Sequence, residues 1–172
     1  MTLVSIRLGA FLVALAPIML ASVMQGRNEL LERLRHTATH DPLTGAGNRD
    51  AFRAGVEHLL AERRGSFAVM MIDLDHFKAV NDRLGHAMGD RVLVSFARHV
   101  RTCLRPEDLL GRLGGEEFAV LVPGCGEQDA VSVAERMRAA ASEPVALDDG
   151  GSRTVTASVG LLSVEGSDGE SV

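Results

Sequence analysis

At 172 residues the chain holds one domain of ordinary size with its own core, plus a short appendage. A formal net charge of −5, no Trp or Tyr and only six Phe argue against a nucleic-acid surface, which needs basic patches or stacking platforms. The two cysteines, Cys103 and Cys125, fit no Cys-x-x-Cys or Cys/His metal spacing and read as reduced thiols.

Leu8 to Met24 carry no charge, a stretch at the low end of what spans a bilayer. Arg7 precedes it and Pro17 interrupts it, which membrane helices tolerate better than soluble ones. Arg27, Arg33 and Arg35 follow, so the positive-inside bias puts the remainder in the cytoplasm. Residues 1–25 are therefore expected to form a transmembrane helix. A cleaved signal peptide and a soluble amphipathic or buried helix are the rivals. Residues 26–40 read as a helical stalk, with Leu30, Leu31 and Leu34 at helical spacing. Those leucines either pair two copies of the chain or pack on the chain's own domain. Asp41-Pro42 ends the stalk, because a residue before proline avoids the α region.

Asn48 to Arg63 reads as an amphipathic helix with Phe52, Val56, Leu59 and Leu60 inward. After Gly65-Ser66 the apolar run from Phe67 to Ile72 reads as a strand buried on both faces, ending in Asp73-Leu74-Asp75. Phe77 to Leu84 and Asp90 to Cys103 read as helices, with Asp90 able to cap the second. Leu110 to Pro123 is a hairpin turning at Gly114-Gly115, with strands over Asp108 to Leu113 and Phe118 to Val122. Two adjacent carboxylates, Glu116 and Glu117, follow that turn, and each makes the other costlier to ionise. Solvent exposure relieves such a pair; so does a divalent cation shared with the acidic end of the other strand, since Mg²⁺ takes hard oxygen ligands. Glu127 to Ala141 reads as a helix and Thr154 to Val164 as a closing strand. From Phe67 onward the order β, helices, hairpin, α, β predicts an α+β fold: a split βαβ, ferredoxin-like antiparallel sheet with helices on one face.

Arg112-Leu113-Gly114-Gly115-Glu116-Glu117-Phe118 closely resembles the signature of the GGDEF-domain diguanylate cyclases, in its GGEEF form. Asp41-Pro42-Leu43-Thr44-Gly45 with Asn48-Arg49 resembles the family's opening motif. Asp73-Leu74-Asp75-His76-Phe77-Lys78, Asn81-Asp82, Gly85-His86 and Gly89-Asp90 resemble its nucleotide-binding segment, and Ser158-Val159-Gly160 a late strand. The ordered series covers residues 37 to 164 and is far more specific than any one motif.

The resemblance implies a polymerase-palm-like fold that condenses two GTP molecules into cyclic di-GMP with release of two pyrophosphates. It implies Mg²⁺, with Mn²⁺ as the alternative, held by Asp73, the Leu74 carbonyl, Glu116 and Glu117. Glu116 would also help deprotonate the attacking hydroxyl. Phe77, Lys78, Asn81, His86, Asp90 and Gly115 would bind substrate, with Asn81 and Asp90 reading guanine and Gly115 admitting the phosphates. Arg105 and Asp108, an R-x-x-D pair, and Arg136 would form a site for inhibitory product. Taken singly, Asn81 reads as helix surface and Arg105–Asp108 as a surface ion pair. A homodimer is implied, since two GTP-loaded copies must meet, at the inner membrane of a bacterium with the catalytic domain in the cytoplasm. No nucleic-acid partner is expected.

Two departures from the family pattern carry expectations of their own. Ala46 and Gly47 stand where larger residues are usual, which would loosen the N-terminal packing. The domain, taken as residues 41–172, ends in a polar Gly-rich tail where the family continues with a further helix and strand. That ending implies exposed apolar surface and weaker GTP binding. It keeps open a second reading, a non-catalytic GTP or cyclic di-GMP receptor.

Overall fold

The computed structural model describes residues 20–27, 38–62, 65–146 and 151–165. It divides into two units, Met1–Ala38 and Thr39–Val172. In the first unit residues 20–27 are helical and exposed; the rest of the expected membrane span, and most of the expected stalk, lie outside the described residues. Among the described residues no helix is long and apolar enough to cross a membrane.

The second unit begins with α1 (Arg49–Glu62), capped by Asn48, whose side-chain oxygen accepts the Ala51 amide at 2.9 Å. Then come β1 (Phe67–Leu74), α2 (Phe77–Leu84), α3 (His86–Thr102), β2 (Leu109–Gly114), β3 (Glu117–Pro123) and α4 (Glu127–Ala141). A two-residue pair, β4 (Val145–Ala146) and β5 (Ser152–Arg153), precedes the last strand, β6 (Ala157–Val164). The four main strands lie in the order β2-β3-β1-β6, every neighbouring pair antiparallel. That is the ferredoxin-like split βαβ arrangement the sequence predicts.

Strand alternation sorts the core. Ala68, Met70, Ile72 and Leu74 of β1, with Phe118, Val120 and Val122 of β3, face α2, α3 and α4 and form the main core. Phe96 and Phe118 pack there with ring centroids 4.8 Å apart. The opposite face carries a second, smaller cluster of Phe52, Phe67, Ala119 and Leu121. The helices after β1 thus cover one face, as the order from Phe67 onward predicts, while α1, which precedes that unit, lies across β2 and β3 on the other. Its approach depends on Gly111: a Cβ there would stand 2.9 Å from Cβ and Cδ2 of Phe52. Over β1 and β6 none of the described residues covers this second face, and Met71 and Leu162 are exposed, so β1 is not buried on both sides. Leu60 of α1 also points to solvent.

Two further expectations change. α3 starts at His86, four residues before the predicted Asp90, because Gly85 at φ 83° both ends α2 and launches α3. Asp90 therefore lies inside the helix and is not its cap. The strap before α1 is tight rather than loose. Ala46 is fully buried, and Gly47 bridges β2, donating to the Leu110 carbonyl and accepting from the Arg112 amide at 2.8 Å each.

Candidate active site

The two acidic strand ends meet at one edge of the sheet. Asp73 of β1 stands directly opposite Glu117 of β3 and, on its other side, opposite Ser158 of β6. Residues so paired project to the same face with Cβ atoms about 5 Å apart, where like charges repel. Burial, then the charges of Glu116, Glu117 and Asp75, push the Asp73 carboxyl above its ordinary value. A cleft of about 330 Å³ opens here, lined by Asp73, Glu117, Ser158, Met71 and Gly160 among others.

The turn differs from its expected register. An irregularity between Arg112 and Gly114 pairs Gly114 with Glu117, so the two turn residues are Gly115, at φ 54°, and Glu116. Left-handed φ at Gly115 is what glycine accepts without cost. Glu116 therefore belongs to the turn itself, while Glu117 opens the strand.

The four carboxyls of Asp73, Asp75, Glu116 and Glu117 do not act alike. Asp75 is tied to the irregular segment leading into β6 and to β6 itself: Thr156 Oγ1 donates to it at 2.6 Å and Ser158 Oγ at 2.7 Å. Those two bonds hold its carboxyl below the ordinary value, and it is a clasp between strands. Asp73, Glu116 and Glu117 remain for a cation. Among the described residues no three His, Cys, Asp or Glu side chains are gathered into a cage. The donor set nonetheless fits Mg²⁺, which is held by one or two carboxylates and completes its octahedron with water and phosphate oxygens.

The turn is held from outside by the opening strap. Arg112 donates through Nε and Nη2 to the Gly115 carbonyl at 3.0 and 2.8 Å, and through Nη1 to Asp41 at 3.0 Å. Arg49 Nε donates to the Leu113 carbonyl at 2.9 Å. Sequence reading quoted Asp41, Arg49 and Arg112 as motif letters and assigned them no role; nothing in one sequence pairs positions 41 and 112.

Phe77 and Lys78 begin α2 two residues after β1, reached through His76 in a left-handed conformation. Phe77 is buried and Lys78 exposed. The Asn81 side chain lies against Gly89, the neighbour of Asp90, and among the described residues its amide has no hydrogen-bond partner. His86 and Asp90 are exposed on the first turns of α3. Asp90 borders a cavity of about 500 Å³ whose apolar wall includes Leu43, Val94 and Val145. The sequence offered Leu43 only as part of the strap.

At the other end of β2, Arg105 and Asp108 form a turn and not an ion pair. Asp108 Oδ2 accepts the Arg105 amide at 2.8 Å, while Asp108 Oδ1 is buried with no partner among the described residues. Arg136 of α4 comes to the same segment, donating to the Cys103 carbonyl at 2.8 Å. A cleft of about 240 Å³ is lined there by Arg101, Arg105, Asp108 and His40, with neighbouring backbone.

Residues 38–172 match the model of the family described as diguanylate cyclase, GGDEF domain. The chain is 43% identical over 132 residues to diguanylate cyclase TpbB of Pseudomonas aeruginosa, covering 74% of this chain and 30% of TpbB. It is 44% identical over 140 residues to cyclic di-GMP phosphodiesterase NbdA of the same species, covering 80% of this chain and 18% of NbdA. The solved coiled coil and GGDEF domain of DgcB from Caulobacter crescentus, in complex with c-di-GMP, matches with a TM-score of 0.80 at 28% identity, over 91% of this chain and 85% of that one. The chain thus spans less than a third of either curated relative.

Proposed function

The chain belongs to the diguanylate cyclase GGDEF family, and from that membership we propose that it condenses two GTP molecules into cyclic di-GMP, releasing two pyrophosphates. The observation that carries this reading is Asp73 directly opposite Glu117, beside the Gly115–Glu116 turn, where negative charge accumulates.

In this reading Asp73, the Leu74 carbonyl, Glu116 and Glu117 hold Mg²⁺ or Mn²⁺. The cation supplies charge neutralisation at the phosphates and lowers the pKa of the attacking 3′-hydroxyl. Glu116, in the turn, accepts that hydroxyl's proton. Gly115, with no Cβ, lets a phosphate approach the backbone. Lys78 supplies a mobile point charge, and His86 and Phe77 border the nucleotide. Asp90 accepts from guanine N1–H and N2–H₂, and the Asn81 amide offers both a donor and an acceptor. The Asn81 amide, without a hydrogen-bond partner among the described residues, and the cavity beside Asp90 support that assignment.

Arg105, Asp108 and Arg136 form the inhibitory product site. Asp108 Oδ1, without a partner among the described residues, supports this, since an unpaired buried oxygen is costly until a ligand N–H reaches it. Catalysis takes place in a homodimer of GTP-loaded copies. Residues 1–25 anchor the chain in the inner membrane, and residues 26–40 lead to the domain on the cytoplasmic side.

A second reading is a GTP or cyclic di-GMP receptor without turnover; the match to NbdA, named as a cyclic di-GMP phosphodiesterase, means that the relatives of this chain are not all named as cyclases. Turnover of GTP with Mg²⁺ by the purified chain and by Glu116→Ala separates the two. Cyclic di-GMP from the parent chain and none from the variant supports the enzyme. Product from neither, with GTP still bound, replaces it with the receptor.

A further inference from the structure

Gly89 sits in the first turn of α3, where glycine is the wrong residue for helix stability. It is less favourable than alanine by about 1 kcal/mol in a helix interior. Its φ is not in the left-handed region, so conformation does not require glycine there. Space does. A Cβ at position 89 would stand 2.0 Å from Asn81 Oδ1, 3.0 Å from Asn81 Cγ and 3.2 Å from Phe77 Cζ. Phe77 is buried and has little room to retreat. Asn81 is only half-buried and ends in a rotatable amide, so it would be the side chain to move.

We propose that Gly89 is a positioning residue for guanine selection: its missing side chain is the seat that fixes the Asn81 amide beside Asp90. This rests on the reading of Asn81 and Asp90 as the groups that recognise the base. The backbone of α2 and α3 already meets at Gly85, whose amide donates to the Asn81 carbonyl at 2.9 Å and whose carbonyl accepts the Met88 and Gly89 amides. The corner therefore survives loss of the seat. What changes is the direction of one amide. Helix propensity and base recognition then pull in opposite directions at this position, which gives the proposal a signature that a packing role lacks.

The test compares binding of the α,β-methylene analogues of GTP and ATP, uncleavable at the bond the proposed reaction breaks, to the full chain with Mg²⁺. Gly89→Ala should still unfold cooperatively, with helix propensity offsetting the contact with Phe77 so that Tm stays near the parent's, while losing about tenfold in guanine preference, the scale of one well-placed hydrogen bond. Asn81→Ala should lose a similar preference, and adding Gly89→Ala to it should change guanine affinity by less than about twofold, as expected of two residues acting through one contact. Undiminished guanine preference in Gly89→Ala would overturn the proposal alone, as would an equal loss of affinity in both backgrounds. A parent chain that does not prefer guanine would overturn the base-reading assignment, and this inference with it.

Discussion

Arg112 Nη1 lies 3.0 Å from Asp41 Oδ1, joining the strap before the first helix to the hairpin that carries Glu116 and Glu117. Both side chains are largely shielded, at 13% and 18% exposure, so this pair is screened less than a surface ion pair. Arg112 turns its other two nitrogens, Nε and Nη2, to the Gly115 carbonyl. One guanidinium thereby sets the distance between the strap and the glycine turn. Arg112→Ala should destabilise the domain by about 2 kcal/mol, since it leaves Asp41 short of a partner and the turn carbonyl unpaired. Chemical denaturation would measure this; a loss below about 0.5 kcal/mol would mean the pair is no more than a surface contact.

The Asp41 carboxyl makes that stability depend on acid. Burial alone would raise it, but hydrogen bonds from the Thr44 hydroxyl and amide and from Arg112, with the Arg112 charge, bring it below its ordinary 3.8. A carboxyl depressed on folding contributes stability above its unfolded value, and that contribution disappears as pH falls from about 4 through the lower folded value. Asp41→Asn should be less stable than the parent chain at pH 7, and the gap should narrow below about pH 4. Tm measured against pH for both proteins checks the sign.

Repulsion among Asp73, Glu116 and Glu117 should make the domain respond to divalent cations. Mg²⁺ should raise Tm by about 2 °C, the shift that a few tenths of a kcal/mol gives a domain of this size. Asp73→Asn should abolish the increment and, lacking one like charge, match or exceed the parent's Tm without metal. A Mg²⁺ response unchanged in the variant would remove Asp73 from the ligand set.

Gly111→Ala should be among the more damaging small substitutions in the sheet. Its Cβ meets Phe52 at that residue's own Cβ, which cannot swing away, so α1 must lift from β2. A cost of about 1–3 kcal/mol is expected, typical of overpacking in a tight contact. Gly126→Ala, where no described residue lies within 4 Å of the added Cβ and φ is −81°, should cost less, only the modest preference for glycine over alanine at a helix N-cap, and serves as the control.

Arg105→Ala tests the product site. It should weaken cyclic di-GMP binding by at least about tenfold, the scale of a charge-assisted hydrogen bond. Its effect on stability should be small, because no hydrogen bond of the Arg105 guanidinium to the described residues is lost and the turn is held by its backbone amide. Undiminished product binding would refute the assignment of Arg105.

What the amino-acid sequence determined by itself was the inventory and order of parts. Apolar periodicity placed α2 and α4 to the residue, at Phe77–Leu84 and Glu127–Ala141, and placed the core strand β1, because those patterns are local. The glycine turn with its adjacent acids, the Asp73 strand end and the Asn81 and Asp90 positions were all legible as residue types at a spacing. Tertiary structure alone decided which of them touch. A one-residue irregularity after Arg112 moved Glu116 into the turn, and the separate pairing of β1 with β3 set Glu117 opposite Asp73, since register is settled between strands far apart in sequence. The same long-range contacts made Asp75 a clasp for Thr156 and Ser158, brought Arg112 to Asp41, and gave Asn81 its seat at Gly89. No local pattern encodes these pairings, because each joins two segments only through the packed fold.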